Sequence, residues 1–574
     1  MIEKYYEEEL RYLYESGSEF AKAHPQLARY LNIDSLGDRD PYVERLFEGF
    51  AFIAGRIREK LDESLPKLTE GLINLIWPQF FQEIPSLAIV QFEPRAGFLQ
   101  ESRVLPAGSE ITTGQIGPGS DICRFRTIKP IVFNPLSLVT VKKESDNQNN
   151  DIFSFVFSLD TSVKWEKFDL KKISIFLYAE YPVAMILHRL FTTEAKRFEV
   201  QYTNDGPFYS IDPCKAVKAG GFDIDETILP TSRRSFYGHN LMKEYFAFPE
   251  KFQFIEFRGI DTLPEPQSTP ETIIIRITIS ERFPVGKEFS SSIFRLYCSP
   301  VVNVFLKDIE PIVKNGLKPE YRVVADYTSE NVVVHSIHSV KGINKVTGEQ
   351  SVYEPYYSFK NAGKRTAKTY ITRFLYTAGG KRQMNISFGG PNLSGKEIKE
   401  EIMVIEAWCT NGRLPRDMVH EGDISSPGKG FPDFIKISNI TRPTLPVLPP
   451  QNDEYVWAFH TNLAANINGL ADKELLKKYL HLYDWPGFEE KNNIIESITA
   501  VKCEPAHKVY KGCLIFGIRL IVTIEEKEFK DTQDLHLFGL VLLNLFNQYI
   551  HVNNFCELQF LLKPSDKKLT WNLL

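Results

Sequence analysis

The period of the apolar residues changes near Ser86, and that change sets what the chain can fold into. Before it, Leu10, Leu13, Tyr14, Gly17, Phe20 and Ala21 recur at helical spacing. Asp40–Pro41 is a helix-start signal, with Asp at the cap and Pro at the first helical position. Val43, Leu46, Phe47, Phe50, Ala54, Ile57 and Leu61 follow on one face. Pro66 opens or kinks a third helix carrying Leu68, Leu72, Leu75 and Ile76, and Pro78 is placed to end it. After Ser86 the apolar residues come in short runs such as "LAIVQFEP", "FSFVFSL" and "KISIFLYA", separated by Pro, Gly, Asn and Asp. That texture predicts strands. "KKESDNQNND" at 142–151 reads as an exposed hairpin tip or loop.

A second β-rich block holds "TIIIRITIS", "RLYCSPVVNVF", "YRVVADY" and "NVVVHSIHSV" and ends at "EIMVIEAW". The prolines of "TRPTLPVLPPQND" mark a linker. Beyond it the pattern is mixed: Trp457–Leu470 and Asp472–Tyr483 read as helices, "NIIESITAVKC" and "CLIFGIRLIVTIE" as strands. Asp534–Ile550 reads as a strongly apolar helix, followed by the strand "CELQFLL". The predicted class is α+β and multidomain. The spans are a helical region 1–80, a β-rich domain 86–235, a helix–strand junction 236–260 and a second β-rich domain 261–440. A proline-rich linker 441–454 then leads to a mixed α/β domain 455–574.

The chain's 574 residues suit several domains at roughly 150 residues each. A net charge of −5 speaks against a dedicated nucleic-acid binder, which carries a basic excess or stripe. Lys142–Lys143 and Lys381–Arg382, the strongest basic clusters, read as solvated surface. The seven cysteines are odd in number and form no CxxC, so a reducing compartment is expected rather than a disulfide framework. "MIEKYYEEEL" has no basic segment followed by an apolar run, so no signal peptide is expected. "LFGLVLLNLFNQYI" is too short to span a bilayer and contains Asn544 and Asn547. These features lead to the expectation of a soluble, cytoplasmic protein with no direct membrane insertion.

The stretch "EYFAFPEKFQFIEFRG" crowds Tyr245, Phe246, Phe248, Phe252, Phe254 and Phe257 into one window split by Pro249. Leu241, Tyr245 and Phe248 sit at helical spacing, whereas Phe252 and Phe254 alternate with Gln253. A helix end, a proline corner and a strand are therefore expected. Tyr245, Phe248, Phe252 and Phe254 are candidates for a domain-junction core, with a subunit interface or a ligand pocket as alternatives. Glu250, Lys251, Glu256 and Arg258 interrupt the run and exclude a membrane edge.

No catalytic constellation emerges. In "GGPNLSGKE", Gly390, Gly395 and Lys396 have phosphate-loop spacing, but Glu397 stands where a Ser or Thr would hold magnesium. Its carboxylate would repel phosphate, so a Gly/Pro turn is the better reading. His335 and His338 lie three apart in a β-branched run, where they would face opposite sides. Cys503, His507 and Cys513 match no common zinc spacing, and neither GxSxG nor HExxH occurs. No catalytic, cofactor-binding or metal-binding residue is expected. The rival readings are a nucleotide-binding enzyme using the Gly390–Lys396 loop and a β-rich carbohydrate-binding protein.

Several strings, taken together and in order, resemble the TssF family (also called VasA or ImpG). They are "YYEEELRYLYESGSEFAKAHPQLARYL", "DPYVERLFEGFAFIAGRIREKLDESLPKLTEGLINLIWP", "IPSLAIVQFEP", "LMKEYFAFPEKFQFIEFRG", "YCSPVVNVFLKDIEPI", "CTNGRLP", "YVWAFHTNLAANIN" and "NQYIHVNNFCELQF". The chain departs from the family pattern at Asn411–Gly412–Arg413, at His460–Ala464 and after Trp571, where the usual arginine-rich close is missing. The resemblance implies a structural wedge component of a type VI secretion baseplate, similar to wedge proteins of contractile phage tails. It implies as partners a second TssF-like copy, a TssG-like subunit, a TssK-like adaptor, and TssE-like and VgrG-like spike components. A baseplate docked at the inner-membrane complex is implied as the location. Wedge assembly also suggests that Leu10, Leu13, Phe20, Leu46 and Phe50 help bind partners, since a short helical block leaves its apolar stripe open.

Overall fold

A computed structural model of the chain describes residues 2–23, 41–62, 82–95, 97–117, 119–146, 150–203, 206–228, 237–284, 286–315, 317–327, 329, 331–356, 368–376, 382–389, 400–428, 430–432, 434–450, 471–487, 489–510, 513–528, 534–549 and 554–572. The chain divides into two compact units: Met1–Phe80 with Gln451–Ala464, and Phe81–Pro450 with Ala465–Leu574. The class is α+β with strands predominating.

In the smaller unit, helix α1 (Ile2–Ala23) packs antiparallel on helix α2 (Pro41–Asp62). Gly55 lets the two backbones meet, since a Cβ there would lie 3.1 Å from the amide nitrogen of Tyr6. At the other end Tyr14 meets Phe47 with ring centroids 6.1 Å apart. The expected third helix at Pro66–Pro78 and the helical reading of Trp457–Leu470 lie outside the described residues.

The larger unit is built from packed sheets, mostly antiparallel, with parallel pairs between Cys513–Glu525 and Phe555–Lys563 and between Gln350–Pro355 and Thr369–Tyr376. One six-stranded sheet runs Ile424–Pro427, Glu110–Ile116, Asp121–Thr127, Cys298–Val302, Leu87–Pro94 and Ile435–Asn439. The strand Leu87–Pro94 thus sits between Cys298–Val302 and Ile435–Asn439, so sheet pairing runs across the spans that composition suggested. Its inward residues Ala88, Val90 and Phe92 head a core shared with Phe125, Phe133 and Val301.

A five-stranded sheet (Tyr209–Ile211, Ala195–Gln201, Thr272–Ile279, Asp151–Leu159, Leu136–Ser145) is joined by a four-stranded one (Val217–Ala219, Phe254–Arg258, Lys172–Leu177, Phe294–Leu296). The hairpin expected at 142–151 is there, with Ser145 paired to Asp151. Helix α3 (Tyr181–Thr193) packs against strands of both sheets and buries every residue from Ala184 to Phe191. An all-round apolar helix has no amphipathic period to read, which is why this element was not expected from the sequence. Phe155 binds the layers, with centroid distances of 5.8 Å to Phe191, 5.1 Å to Phe257 and 5.0 Å to Phe294.

The largest sheet carries the strands Glu401–Thr410 and Val333–Asn344 side by side. A reciprocal pair of buried asparagines fastens it to the six-stranded sheet. Asn303 Nδ2 donates to Asn411 Oδ1 at 2.8 Å, and the Asn411 amide donates back to Asn303 Oδ1 at 2.7 Å. The proline-rich segment is laid along strand residues over most of its described length: Val447 and Ile84 exchange backbone bonds of 2.8 and 2.9 Å, and Thr441 Oγ1 accepts from the Ile89 amide at 2.8 Å.

In the C-terminal part, helices α4 (Tyr237–Ala247), α5 (Lys473–His481), α6 (Glu489–Glu496) and α7 (Asp534–Asn547) accompany a sheet in the order Ile498–Tyr510, Cys513–Glu525, Phe555–Lys563, Lys568–Asn572. The expected strand "NIIESITAVKC" is corrected: its first residues belong to α6, and the strand begins only at Ile498. Ile494 and Ile495 are buried there on one side of a single helical turn.

Truncating Phe155 removes ring contacts to three elements at once. Phe155→Ala is expected to cost about 3–5 kcal/mol in chemical denaturation, and Phe155→Leu under about half of that. Equal losses for the two substitutions would show that ring packing is not what holds these layers.

Candidate functional site

The aromatic run lies at the centre of the larger unit. Helix α4 carries Tyr245 and Phe246; Phe248 follows it; a short turn spans Pro249–Phe252; the strand Phe254–Arg258 completes the run. The corner thus places Phe252 in the turn rather than on the strand. Tyr245, Phe248, Phe252 and Phe254 are all at most 1% exposed. Each ring faces a different neighbour. Phe252 meets Phe222 at 5.0 Å, Phe254 meets Phe176 at 4.9 Å, and Tyr245 meets Phe538 of α7 at 5.8 Å. Phe248 enters a cluster with Ile84 and with Leu87, Cys298 and Val302 of the six-stranded sheet.

The charged residues of the run are not a solvated face, since Lys251 and Glu256 are buried. Lys251 is fully buried and forms an ion pair with Glu244, whose other oxygen accepts from the Ile228 amide at 2.8 Å. Glu256 is 1% exposed and binds Lys172 at 2.6 Å. Asp223, Glu226 and Glu256 are close enough to hold a cation. The Lys172 ammonium reaches all three carboxylates at 2.6–3.4 Å and Arg258 pairs with Glu256 and Asp223, so cations brace the group. Burial would push Glu226 up, but the ammoniums of Lys129, Lys172 and Lys251 hold it below the usual carboxylate range.

Two polar knots tie the run to the C-terminal part. Asp534, at the start of α7, accepts from Tyr181 at 2.5 Å, from Tyr245 at 3.0 Å and from Lys491 at 2.7 Å. The Lys491 ammonium also sits 3.9 Å from the Tyr245 ring centroid. Burial and the Asp534 charge push both tyrosine hydroxyls well above their ordinary range. In the second knot, His239 of α4 lies among Tyr479, Tyr483 and Tyr549; its Nδ1 is 2.9 Å from the Tyr479 hydroxyl and 2.5 Å from that of Tyr483. Gly238 beside it allows α4 to touch α7, because a Cβ there would lie 2.6 Å from the Leu545 Cα.

Arg382 corrects another expectation. Its side chain is 5% exposed and pairs with equally buried Glu83 at 2.9 Å. Burial still pushes Glu83 above the usual range, with Arg382 opposing. His335 donates from Nε2 to the Glu83 carbonyl at 2.9 Å, whereas His338 is exposed beside Trp408. The loop at Gly390–Glu397 and the span His460–Ala464 lie outside the described residues. The six described cysteines are unpaired.

In the helical unit, Leu10 and Leu13 are half-buried, whereas Phe20 is 41%, Leu46 69% and Phe50 60% exposed. Ile53 and Ile57, at 59% and 55%, extend the Leu46–Phe50 line along one face of α2. No described helix is long and apolar enough to cross a membrane.

The large unit is a β-rich scaffold held by buried ion pairs and aromatic contacts, and the small one presents an open apolar helix face. That combination defines a structural assembly protein. The chain belongs to the TssF family of type VI secretion systems, whose family model matches residues 1–573. A relative in Pseudomonas aeruginosa, "Type VI secretion system component TssF1", is 24% identical over 96% of this chain and 95% of its own. Among solved structures, a chain of a TssK-TssF-TssG baseplate subcomplex has a TM-score of 0.80 at 28% identity, covering 93% of this chain and 98% of that one. A chain of a type VI baseplate complex has a TM-score of 0.65 at 28% identity, covering 100% and 98%.

Removing the Asp534 carboxylate orphans one cation and two hydroxyls in a buried setting. Asp534→Ala is expected to destabilise the protein by about 3–5 kcal/mol, measured by chemical denaturation near neutral pH. A loss below about 1 kcal/mol would place the strength of this junction in the aromatic packing alone.

Proposed function

We propose that this chain is a non-catalytic wedge subunit of a type VI secretion baseplate that joins TssG-like and TssK-like subunits and a second copy of itself. The observation that carries the reading is the 0.80 TM-score over 93% of the chain to a member of a TssK-TssF-TssG subcomplex. Contacts to TssE-like and VgrG-like spike components, and docking of the baseplate at the inner-membrane complex, belong to the same proposal. A wedge subunit must pass load between neighbours without deforming. The buried junction around Tyr245 and Asp534 supports such a role, because packed interiors transmit strain rather than absorb it.

The partner-binding surface is assigned to the helical unit. Phe20 of α1 and Leu46, Phe50, Ile53 and Ile57 of α2 leave apolar area in water, and half-buried Leu10 and Leu13 extend it along α1. Each side chain that becomes buried in a complex contributes roughly 1.5–3 kcal/mol. A TssG-like subunit completing a shared helical bundle supplies the cover such a stripe requires.

Leu46→Glu with Phe50→Glu is expected to lower co-purification with a TssG-like subunit by more than about tenfold, since roughly 1.4 kcal/mol is a factor of ten in affinity. The melting of the larger unit should stay unchanged. Recovery of the TssG-like subunit at wild-type yield would move the contact out of the helical unit.

A further inference from the structure

Helix α3 and the last strand, Lys568–Asn572, meet α7 at a buried polar array. Trp571 Nε1 donates to His536 Nδ1 at 3.1 Å. An indole N–H can only donate, so Nδ1 carries a lone pair and the proton of neutral His536 sits on Nε2. Nε2 lies 3.2 Å from Thr192 Oγ1, and the Thr192 hydroxyl donates to the His188 carbonyl at 2.7 Å. The bonds run one way, from the last strand through α7 to α3, and they close only while His536 is uncharged. The indole also rests on the α7 backbone, since a Cβ at Gly539 would lie 2.5 Å from it.

His188 stands beside this relay, its ring centroid 6.0 Å from that of His536. It is wholly buried, and neither ring nitrogen meets a hydrogen-bond partner among the described residues. Several other charged groups on the surrounding elements have partners of their own. On α3, Arg189 binds Glu281 at 2.7 Å and lies 3.9 Å from Glu194; on α7, Asp534 is held by Tyr181, Tyr245 and Lys491. On α4, Glu244 pairs with Lys251, Lys243 lies over Trp485, and His239 binds its tyrosines. On the strands, Glu256 pairs with Lys172, Lys196 binds Asn150, Arg276 lies over Phe208, Glu557 pairs with Arg519, Lys563 pairs with Asp566, and Lys568 is exposed. Among the described residues, no carboxylate lies within ion-pair distance of either imidazole.

We propose that the His188–His536–Trp571 array is a proton-operated latch that docks the final strand on α3 and α7 when both rings are neutral and releases it when they take up protons. A proton on His536 Nδ1 would set N–H against the Trp571 N–H, and a charged His188 would stand unpaired. Release is local, because among the described strands the last one pairs with Phe555–Lys563 and its buried residue is Trp571. Burial holds His188 at about 4, against an ordinary 6.5. Burial first, and then His188 and Arg189, hold His536 well below 6.5. The unfolded or undocked chain therefore binds these protons more readily. The latch contributes fully above pH 6.5 and is lost as pH falls toward about 4.

The test is hydrogen exchange by mass spectrometry on the full chain at about pH 7.5 and about pH 5, corrected for intrinsic rates. Residues 568–572 are expected to lose protection by about tenfold or more at the lower pH, while 534–547 and 272–279 keep theirs. Unchanged protection of 568–572, or a uniform loss across all three segments, would overturn the latch. In His188→Leu with His536→Gln, Gln retains an acceptor and a donor without titrating, and protection of 568–572 should hold between the two pH values. A variant that loses protection in acid as wild type does would equally overturn it. If the variant does not fold, the wild-type comparison decides.

Discussion

The carboxylate of Asp534 is the point on which the larger unit depends. It is one charge accepting from three donors on three separate stretches of chain: Tyr181 of α3, Tyr245 of α4 and Lys491 of α6. A buried charge is tolerated only where partners surround it, and these partners are available only if all the elements dock together. Around it the aromatic run fills the space between sheets, and its rings reach α7, the four-stranded sheet and the six-stranded sheet. Helix end, proline corner and strand therefore act as a hub. The same logic recurs in the Glu244–Lys251 pair, the Lys172 brace and the Glu83–Arg382 pair. The interior is held by paired charges and aromatic contacts that specify one arrangement.

This construction suits a structural component of a machine. The buried acids are neutralised by lysines, and the tyrosines and histidine of the second knot bind one another. The helical unit differs, because α1 and α2 meet along a narrow seam at Gly55 and Phe47 while a line of large apolar residues on α2 stays in water. Rigidity in one unit and open apolar surface in the other is the division of labour expected of a scaffold subunit.

Much of the fold was legible from period and turn residues. The strands at 87–94, 151–159, 272–279 and 401–410 each alternate or form short β-branched runs, and the structure pairs all of them. The family was legible because its strings recur in order. The rest was hidden for physical reasons. Helix α3 is buried on every side and so has no polar face to betray its period. The end of α6 was taken for strand because Ile494 and Ile495 are β-branched and adjacent. Arg382 was taken for surface because nothing local marks its partner, which lies 299 residues away. Tyr181 and Asp534 are 353 residues apart, and no spacing rule reaches that far. The aromatic run was visible; what it meets was not.

The central claim is that the aromatic hub and its Asp534 knot make Phe81–Pro450 and Ala465–Leu574 one mechanical body. Differential scanning calorimetry of the full chain, combined with hydrogen exchange during the scan, tests it most directly. The account predicts that the sheet of 498–572 and the sheets of 87–302 lose protection in a single transition whose calorimetric and van't Hoff enthalpies agree. A separate, earlier transition confined to 473–572, leaving the remaining sheets protected, would contradict it.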